Sequence, residues 1–154
     1  MDLNIDIRLI FAILNGKVST VISRRLHKDF IGAGLELSPE QWTVLIYLSE
    51  QDGVSQQALC NATYKDKPSM TRLIDSMELT GWVSREKNLR DRRSNIINLT
   101  PLGRDITNRA QKTALRTLKD LLKGLGMEEL NICQEVLRRI FENAKTDEGR
   151  QAAP

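Results

Sequence analysis

Apolar residues recur every three or four positions along most of the chain, which is the spacing of one face of an α-helix. The first stripe predicts a long helix over residues 5–31, after which Gly32 and Gly34 interrupt the pattern. The same spacing predicts further helices from residue 39 to just before Gly53, and over 56–62, 68–80, 101–123 and 127–145.

Several of these helices have recognisable starts. Ser38 precedes Pro39, and Gln41 stands three residues after the serine, as in a capping box. Ser55 is placed in the same way before the helix at 56. Because a proline disfavours helical geometry at the residue before it, the next helix is expected to begin at Pro68.

Two short segments before residue 100 have the composition and alternation of β-strands. They cover residues 82–86 and 95–99, and the connection between them is long and charged. A helix followed by a basic hairpin can place the helix in a DNA major groove and the hairpin in the neighbouring minor groove. The tip of this hairpin consists of Asp91 surrounded by three arginines, Arg90, Arg92 and Arg93.

The two helices at 56–62 and 68–80, joined by a short turn, predict a helix-turn-helix. With the hairpin, the expected fold is mainly α with a small β-hairpin wing: a winged helix-turn-helix core with N- and C-terminal dimerisation helices. The predicted domains are the DNA-binding core at 38–100, dimerisation helices at 1–34 and 101–145, and a flexible tail at 146–154.

The flanking helices carry more apolar surface than one subunit should be able to cover. We therefore expect a symmetric homodimer built from the two ends of the chain. The sequence leaves open the alternative in which these helices close back onto the same subunit. The face of the last helix that is expected to be buried consists of Leu130, Cys133, Val136, Leu137, Ile140 and Phe141.

Charge is distributed unevenly, although the formal net charge is only +3. Residues 65–93 hold eight basic and five acidic side chains, and residues 85–93 alone hold five basic and two acidic ones. A basic patch on a hairpin tip, beside a candidate recognition helix, favours binding to phosphates. Double-stranded DNA is the expected partner.

Other classes of function find little support in the residues. His27, Cys60 and Cys133 are too few to form a four-ligand zinc site, and both cysteines are expected to be buried small apolar residues. The chain has no glycine-rich phosphate loop or nucleophile elbow, so we expect neither an enzyme nor a cofactor. It also has no apolar run long enough to span a membrane and no basic start typical of a signal peptide, so we expect a cytoplasmic protein.

A resemblance to a known family rests on three motifs. Asp91-Arg92-Arg93, then five residues, then Leu99-Thr100 and Gly103, resembles the wing signature of the MarR family (multiple antibiotic resistance regulators). The segment Ser69–Asp75 resembles the recognition helix of that family, and Thr80-Gly81-Trp82-Val83 resembles its exit turn. The order and lengths of the flanking helices agree over nearly the whole chain.

The resemblance implies a homodimeric transcriptional regulator, expected here to be a repressor, that binds a pseudo-palindromic operator. It also implies release by a small phenolic or aromatic effector. One branch of the family senses peroxides through a cysteine in the first helix, but this chain has none before Cys60. No effector site is assigned, since the candidate lining residues are equally typical of packing or surface positions: Arg24, His27, Trp42, Tyr47 and Tyr64.

The predicted DNA contacts fall on three elements. Ser69, Thr71 and Arg72 are expected to meet base edges or nearby phosphates in the major groove. Lys65 and Lys67 should neutralise phosphates at the start of the recognition helix. Ser55 and Gln56 open the preceding helix, whose amide groups can hold another phosphate.

In the wing, Arg93 occupies the position that the resemblance assigns to a minor-groove arginine, and Asp91 is expected to pair with it. Arg90 or Arg92 could take that place instead, and the sequence does not distinguish them. Arg85 and Lys87 are expected to contact the DNA backbone. An alternative is a winged helix that binds a protein partner rather than DNA, although the basic tip disfavours it.

Overall fold

A computed structural model of the chain describes residues 16–88 and 94–151, with side chains described as far as Ala144. In chain order the elements are α1 (Lys17–Gly32), α2 (Pro39–Glu50), β1 (Val54–Ser55), α3 (Gln56–Thr63), α4 (Lys67–Leu79), β2 (Val83–Lys87), β3 (Asn95–Leu99), α5 (Pro101–Leu121) and α6 (Met127–Gln151). The mainly helical fold class and the helix-turn-helix followed by a hairpin are therefore confirmed.

The predicted start of α2 is confirmed in detail. The Ser38 hydroxyl accepts the Gln41 backbone N–H at 3.1 Å, and the Gln41 side-chain oxygen accepts the Ser38 backbone N–H at 2.9 Å. These two bonds satisfy donors that would otherwise have no intrahelical partner. Ser55 caps α3 through the Ala58 N–H at 3.1 Å, also as predicted.

The predicted single helix over 5–31 is wrong at its start. Helix α1 begins at Lys17, and Gly16 before it has φ of 86°, in the left-handed region. A glycine takes this conformation without steric cost, and a continuous right-handed helix does not contain it. The apolar stripe runs through Gly16 without revealing the break, and residues 1–15 lie outside the described part of the chain.

Among the other helix bounds that differ from prediction, the start of α4 and the end of α6 have a clear physical reason. Helix α4 begins at Lys67, one position before Pro68, because Asp66 caps it and a proline is tolerated in the first helical turn. Helix α6 continues to Gln151 and does not end at residue 145. Polar residues are compatible with a solvent-exposed helix, so the polar composition beyond 145 was a poor stop signal. Residues 152–154 are outside the described range.

The wing belongs to a three-stranded antiparallel sheet in the order β1-β3-β2. Strand β1 was not predicted, because two residues are too few for a periodic pattern. It pairs Val54 with Ile97 and Ser55 with Ile96. Strands β2 and β3 pair from Val83 opposite Leu99 out to Lys87 opposite Asn95, which brings β3 back to the base of the hairpin at residue 99.

The chain divides into two compact units, Met1–Leu118 and Lys119–Pro154. The first unit has a hydrophobic core in which Phe30 lies edge-on to Trp42, with ring centroids 5.8 Å apart. Cys60 is buried in it, as predicted. The largest fully buried side chains of this core are Phe30, Leu37, Val44, Leu45, Leu48, Leu59, Met70, Ile74, Met77 and Ile97.

The second unit has no buried side chain among the described residues 119–144. The single chain therefore leaves uncovered the apolar face that α6 was expected to bury, in line with the expectation that one subunit cannot cover the flanking helices. Cys133 is exposed in the single chain, although it was predicted to be buried, and Leu130 is half-buried. The other members of the face are exposed, namely Val136, Leu137, Ile140 and Phe141.

Within the described residues, none of the helices combines the length and the apolar character that crossing a membrane requires.

Candidate nucleic-acid interface

Helix α4 is amphipathic in the way that a recognition helix must be. Met70, Ile74 and Met77 are completely buried against the core, so their spacing fixes which side of the helix faces out. Arg72 is exposed, while Ser69 and Thr71 are half-buried at the edge of the outer face. Ser69, Thr71 and Arg72, the predicted major-groove contacts, thus all lie away from the buried side.

The N-terminus of α4 is held by Asp66. Its carboxylate accepts the backbone N–H and the hydroxyl of Ser69, each at 2.8 Å. The backbone N–H of Ser69 is the main cause that lowers the pKa of Asp66 below its usual value, followed by the Ser69 hydroxyl. Arg72 donates to the Ser69 hydroxyl at 3.3 Å, so Ser69 already has two side-chain partners before any DNA arrives.

Asp66 was missed in the sequence because Pro68 was taken as the start signal. An aspartate three residues before a serine amide, with a proline between them, is the pattern that would have found it.

Thr71 and Gln56, both predicted DNA contacts, are bonded to each other. The Gln56 side-chain amide donates to the Thr71 hydroxyl at 2.7 Å, and that hydroxyl donates to the Lys67 carbonyl at 2.9 Å. The rotamer of Thr71 is therefore set by the protein. One hydroxyl lone pair remains available to a further donor, such as the amino group of a base.

Arg85, predicted to contact the DNA backbone, lies against the recognition helix. Its guanidinium is 2.6 Å from the Asp75 carboxylate and 3.4 Å from that of Glu78, and its side chain is only 21% exposed. Asp75 and Glu78 are three residues apart on α4, so one arginine of β2 reaches both. The structure thus joins the base of the wing to the recognition helix through a charge pair.

Two further contacts hold α4 and the turn before it. The Gln41 side chain, which already completes the cap of α2, donates to the Ser76 hydroxyl of α4 at 3.0 Å. Lys65 pairs with Glu40 at 3.2 Å, which leaves the lysine side chain 23% exposed. Gln41 was singled out in the sequence only for the cap of α2, and Glu40 was not singled out, because each contact joins residues far apart along the chain.

A cleft of about 220 Å³ lies between α3, α4 and the wing strands. Four of the predicted site residues line it together, and Cys60 contributes to its wall. The structure therefore brings one part of the predicted site into a single place. These four residues are Gln56, Lys67, Thr71 and Arg85.

The remaining predictions concern the outer wing. Lys87 is exposed at the end of β2, opposite Asn95. Beyond it, the Asn88 backbone N–H donates to the Ser94 carbonyl at 3.2 Å, where the hairpin is still paired. The tip residues Arg90, Asp91, Arg92 and Arg93 lie outside the described residues.

Tyr64 stands in the turn between α3 and α4 and was not predicted to meet DNA. It has φ of 54°, which makes it the one non-glycine residue with positive φ in the described part of the chain. Its side chain is 58% exposed, beside the start of the recognition helix. Of the other residues considered for an effector cleft, Trp42 is a core residue, and Arg24 and His27 are exposed.

Within the described residues, no group of His, Cys, Asp and Glu side chains is placed to hold a metal ion.

Comparisons with known proteins decide the family. The model of the MarR family matches residues 35–94, which run from just before α2 to the residue before β3. A solved structure, that of the transcriptional regulator PA3341, is 30% identical with a TM-score of 0.76, and the match covers 88% of this chain and 98% of that one. The chain belongs to the MarR family. As a member, it is a DNA-binding transcriptional regulator with a winged helix-turn-helix.

Other MarR-type relatives agree with this assignment. The regulator PecS of Dickeya dadantii is 28% identical over 142 residues, which are 90% of this chain and 84% of PecS. The regulator YdgJ of Bacillus subtilis is 29% identical over 107 residues, and the chain spans 65% of its length. The crystal structure of CouR from Rhodococcus jostii, bound to p-coumaroyl-CoA, has the same fold with a TM-score of 0.72 at 23% identity, covering 82% of this chain and 88% of CouR.

Proposed function

We propose that the protein is a homodimeric repressor that binds a pseudo-palindromic operator. One observation carries the proposal: α4 buries Met70, Ile74 and Met77 and presents a polar face, with the paired strands of the wing beside it. A helix of this kind fits the major groove, and a dimer places two such helices about one helical turn apart, roughly 34–36 Å.

In this proposal, Arg72 and Thr71 contact base edges and Ser69 contacts a base edge or phosphate. Lys67 neutralises a phosphate at the start of α4, and Lys65 supplies further charge although it is paired with Glu40. At the start of α3, the amide groups near Ser55 and Gln56 can hold a phosphate oxygen. The bonds from Asp66 and Gln56 support this arrangement by fixing Ser69 and Thr71 in advance.

The wing takes two different roles in the proposal. Arg85 positions the wing against α4, because its charge is already balanced by Asp75 and Glu78. Lys87, further out and exposed, contacts the DNA backbone. The tip residues enter or flank the minor groove, with Arg93 as the inserted side chain, Asp91 as its partner, and Arg90 and Arg92 beside it.

The dimer follows from the apolar surface that the single chain leaves uncovered. In the second unit, Val136, Leu137 and Ile140 are between 41% and 49% exposed along one face of α6. Leu115 of α5 and Val21 of α1 are 60% and 57% exposed in the first unit. Contiguous apolar surface on a soluble protein marks an interaction site, so we propose that residues 1–34 and 101–145 form the dimer and that 38–100 bind DNA.

We also propose that a small aromatic acid, or its thioester, releases the dimer from DNA. The support is the structural likeness to CouR, which was solved with p-coumaroyl-CoA. A thermal-shift screen of phenolic acids and their CoA thioesters tests this part separately. A compound that raises the melting temperature should also dissociate the DNA complex, and a compound that stabilises the protein without weakening DNA binding would contradict release.

The DNA-binding proposal is tested with an operator selected by the wild-type protein from a random duplex library. Fluorescence anisotropy at fixed salt should show that Arg93→Ala or Arg72→Ala weakens binding by about 1–3 kcal/mol while the dimer stays folded. Affinity should fall by orders of magnitude between about 50 and 200 mM salt if roughly 6–10 phosphates are contacted. Unchanged affinity in both variants would contradict the assigned roles.

The same titration separates the alternative function. A winged helix that binds only a protein partner would select no sequence from the library and would show no competition by bulk genomic DNA. A DNA-binding regulator should be displaced by genomic DNA at high concentration, because non-specific binding rests on the same phosphate contacts.

A further inference from the structure

The junction between the wing and helix α5 is unusually tight. Helix α5 begins two residues after β3 ends, with only Thr100 between them. The Thr100 backbone N–H donates to the Trp82 carbonyl at 3.1 Å, and its hydroxyl donates to the Gly81 carbonyl at 2.6 Å. The first turn of α5 therefore rests directly on the backbone that enters β2.

Gly103 brings the two backbones into contact. A Cβ atom at this position would lie 2.0 Å from the Trp82 carbonyl oxygen, which no side chain can occupy. The Gly103 N–H donates to the Thr100 hydroxyl at 2.9 Å, which closes the first turn. Helix α5 has no flexible segment at its base that could absorb a change of angle.

Asp52 holds the same junction from the β1 side of β3. It stands in the turn after α2, and Gly53 next to it has φ of 69°, which turns the chain before β1 begins. The Asp52 carboxylate accepts a hydrogen bond from the backbone N–H of Leu99 at 2.8 Å. It thus takes the place of the backbone carbonyl with which a longer β1 would have paired this N–H. Its second oxygen accepts the guanidinium of Arg104, in the first turn of α5.

One carboxylate thus joins three parts of the first unit: the α2–β1 turn, the end of β3 and the start of α5. The Arg104 side chain is 55% exposed, so its ion pair alone would contribute little to stability. The bond to the Leu99 amide is partly buried and ties Asp52 to the sheet. These contacts of Asp52 are better suited to fixing the orientation of α5 than to stabilising the fold.

The direction of α5 matters because of its length. From residue 101 to 118 the helix extends about 27 Å, at ~1.5 Å per residue. A rotation of about 7° at its base would displace the far end by roughly 3 Å, close to the ~3.4 Å that separates successive base pairs. A rotation of that size would change the separation of the two recognition helices in the proposed dimer by a distance comparable to one base-pair step.

We propose that Asp52, through Leu99 and Arg104, is a positioning residue that sets the spacing between operator half-sites that the dimer accepts. The inference rests on the proposed homodimeric binding to two half-sites. Asp52 itself contacts no DNA in this proposal. Its effect is on which spacing binds best, and not on how well one half-site is bound.

The test compares spacing profiles. The operator selected by the wild-type protein is prepared with its natural centre, with one base pair added and with one removed, and also as an isolated half-site. Wild-type protein should prefer the natural spacing by about tenfold or more, comparable to the loss caused by a mismatched base pair. Asp52→Ala should reduce this preference severalfold and leave half-site affinity and its salt dependence unchanged.

Three matched variants sharpen the result. Asp52→Asn keeps an oxygen for the Leu99 amide and should retain most of the preference. Arg104→Met removes only the partner on α5 and should lose part of it, which keeps the test decisive if Asp52→Ala does not fold. Asp105 lies in the same helix, next to Arg104, and its carboxylate pairs with the exposed Arg109. Asp105→Asn removes this carboxylate and should behave as wild type.

Two outcomes would overturn the inference. Either Asp52→Ala and Arg104→Met keep the wild-type profile, or they lose affinity equally for every spacing and for the half-site, as a general loss of stability would cause. Failure of the proposed function looks different, because wild-type protein would then select no paired half-sites or would sediment as a monomer.

Discussion

At the level of single residues, Gly103 and Thr100 explain what the Leu-Thr-x-x-Gly end of the wing motif does. Thr100 bonds to two carbonyls of the turn before β2 and caps the first turn of α5. Gly103 is required because a backbone carbonyl fills the place of its side chain. The motif identified the family in the sequence, but only the structure shows that these two residues close a backbone contact.

Replacing Gly103 by alanine should destabilise the protein strongly. The added methyl group would meet the Trp82 carbonyl at 2.0 Å, and neither backbone can withdraw without breaking the Thr100 bonds. Overpacking of this kind costs about 1–3 kcal/mol or more, measured as the free energy of unfolding at fixed protein concentration. Gly32→Ala is the control, since it lies in α1 with no atom within 4 Å of the new Cβ. It should be neutral or stabilise by up to ~1 kcal/mol.

A second prediction at this scale concerns the Asp66 cap. The Ser69 amide lowers the pKa of Asp66 below its ordinary value of 3.8. The ionised carboxylate therefore stabilises the folded state at pH values above 3.8, and this stabilisation is lost as the pH falls through the lowered pKa of the folded state. Asp66→Ala should therefore be less stable than wild type at pH 7, and the difference should shrink towards pH 3 in urea titrations. Asp66→Asn, which can still cap, should show a smaller difference at pH 7. A gap between wild type and Asp66→Ala that is independent of pH would contradict this assignment.

At the level of elements, the recognition helix is held from three directions by polar side chains. Gln41 comes from α2, Gln56 from α3 and Arg85 from β2. All three reach α4, whose buried face is fixed separately by the core. We infer that the outer face of α4 is largely set before DNA binds, which reduces the ordering cost of recognition.

Arg85 offers an element-scale test of positioning against direct contact. Arg85→Met should weaken operator binding because the wing is released from Asp75 and Glu78, yet the slope of log affinity against log salt should stay as in wild type. Lys87 lies two residues further along β2 and is exposed. Lys87→Met should reduce the slope of log affinity against log salt by about one, as loss of a phosphate contact does. A reduced slope for Arg85→Met would show that Arg85 meets a phosphate after all.

Elements with local signals were predictable from the sequence, and those that depend on distant partners were not. Ser38, Pro39 and Gln41 lie within four residues of one another and specified the start of α2. Gly16, after Asn15, was a local turn signal that the apolar stripe outweighed, whereas the pairing of Arg85 with Glu78 joins two elements. The outward face of α4 was predicted because burial follows a period. Its supporting contacts were not, because hydrogen bonds between elements leave no periodic trace.

At the level of the whole molecule, the second unit presents an apolar face with no cover of its own among the described residues. The sequence predicted more apolar surface on the flanking helices than one subunit can cover, and the exposed face of α6 agrees with that prediction. The dimer as proposed would bury it. Stability and DNA binding should then both depend on protein concentration, since unfolding is linked to dissociation.

A charged residue at the centre of this face tests the dimer. Leu137 is 49% exposed, and Leu137→Asp should convert the dimer to monomer in sedimentation velocity while the winged core keeps its circular dichroism signature. Burying an unpaired carboxylate at an apolar interface costs several kcal/mol, enough to dissociate it at micromolar concentration. Asn131→Asp adds the same charge at an exposed polar position of α6 and should remain dimeric. A dimeric Leu137→Asp variant would place the interface elsewhere.

The close contact at Gly103 has a practical consequence for anyone who exchanges modules between regulators of this kind. The predicted boundary between DNA-binding and dimerisation segments, at residue 100, cuts through a bonded group to which Asp52, Thr100 and Arg104 all belong. A chimera joined there would pair half of that group with foreign residues and inherit an arbitrary helix angle. Joining inside α5, beyond Arg104, would transfer the DNA-binding part together with its own attachment.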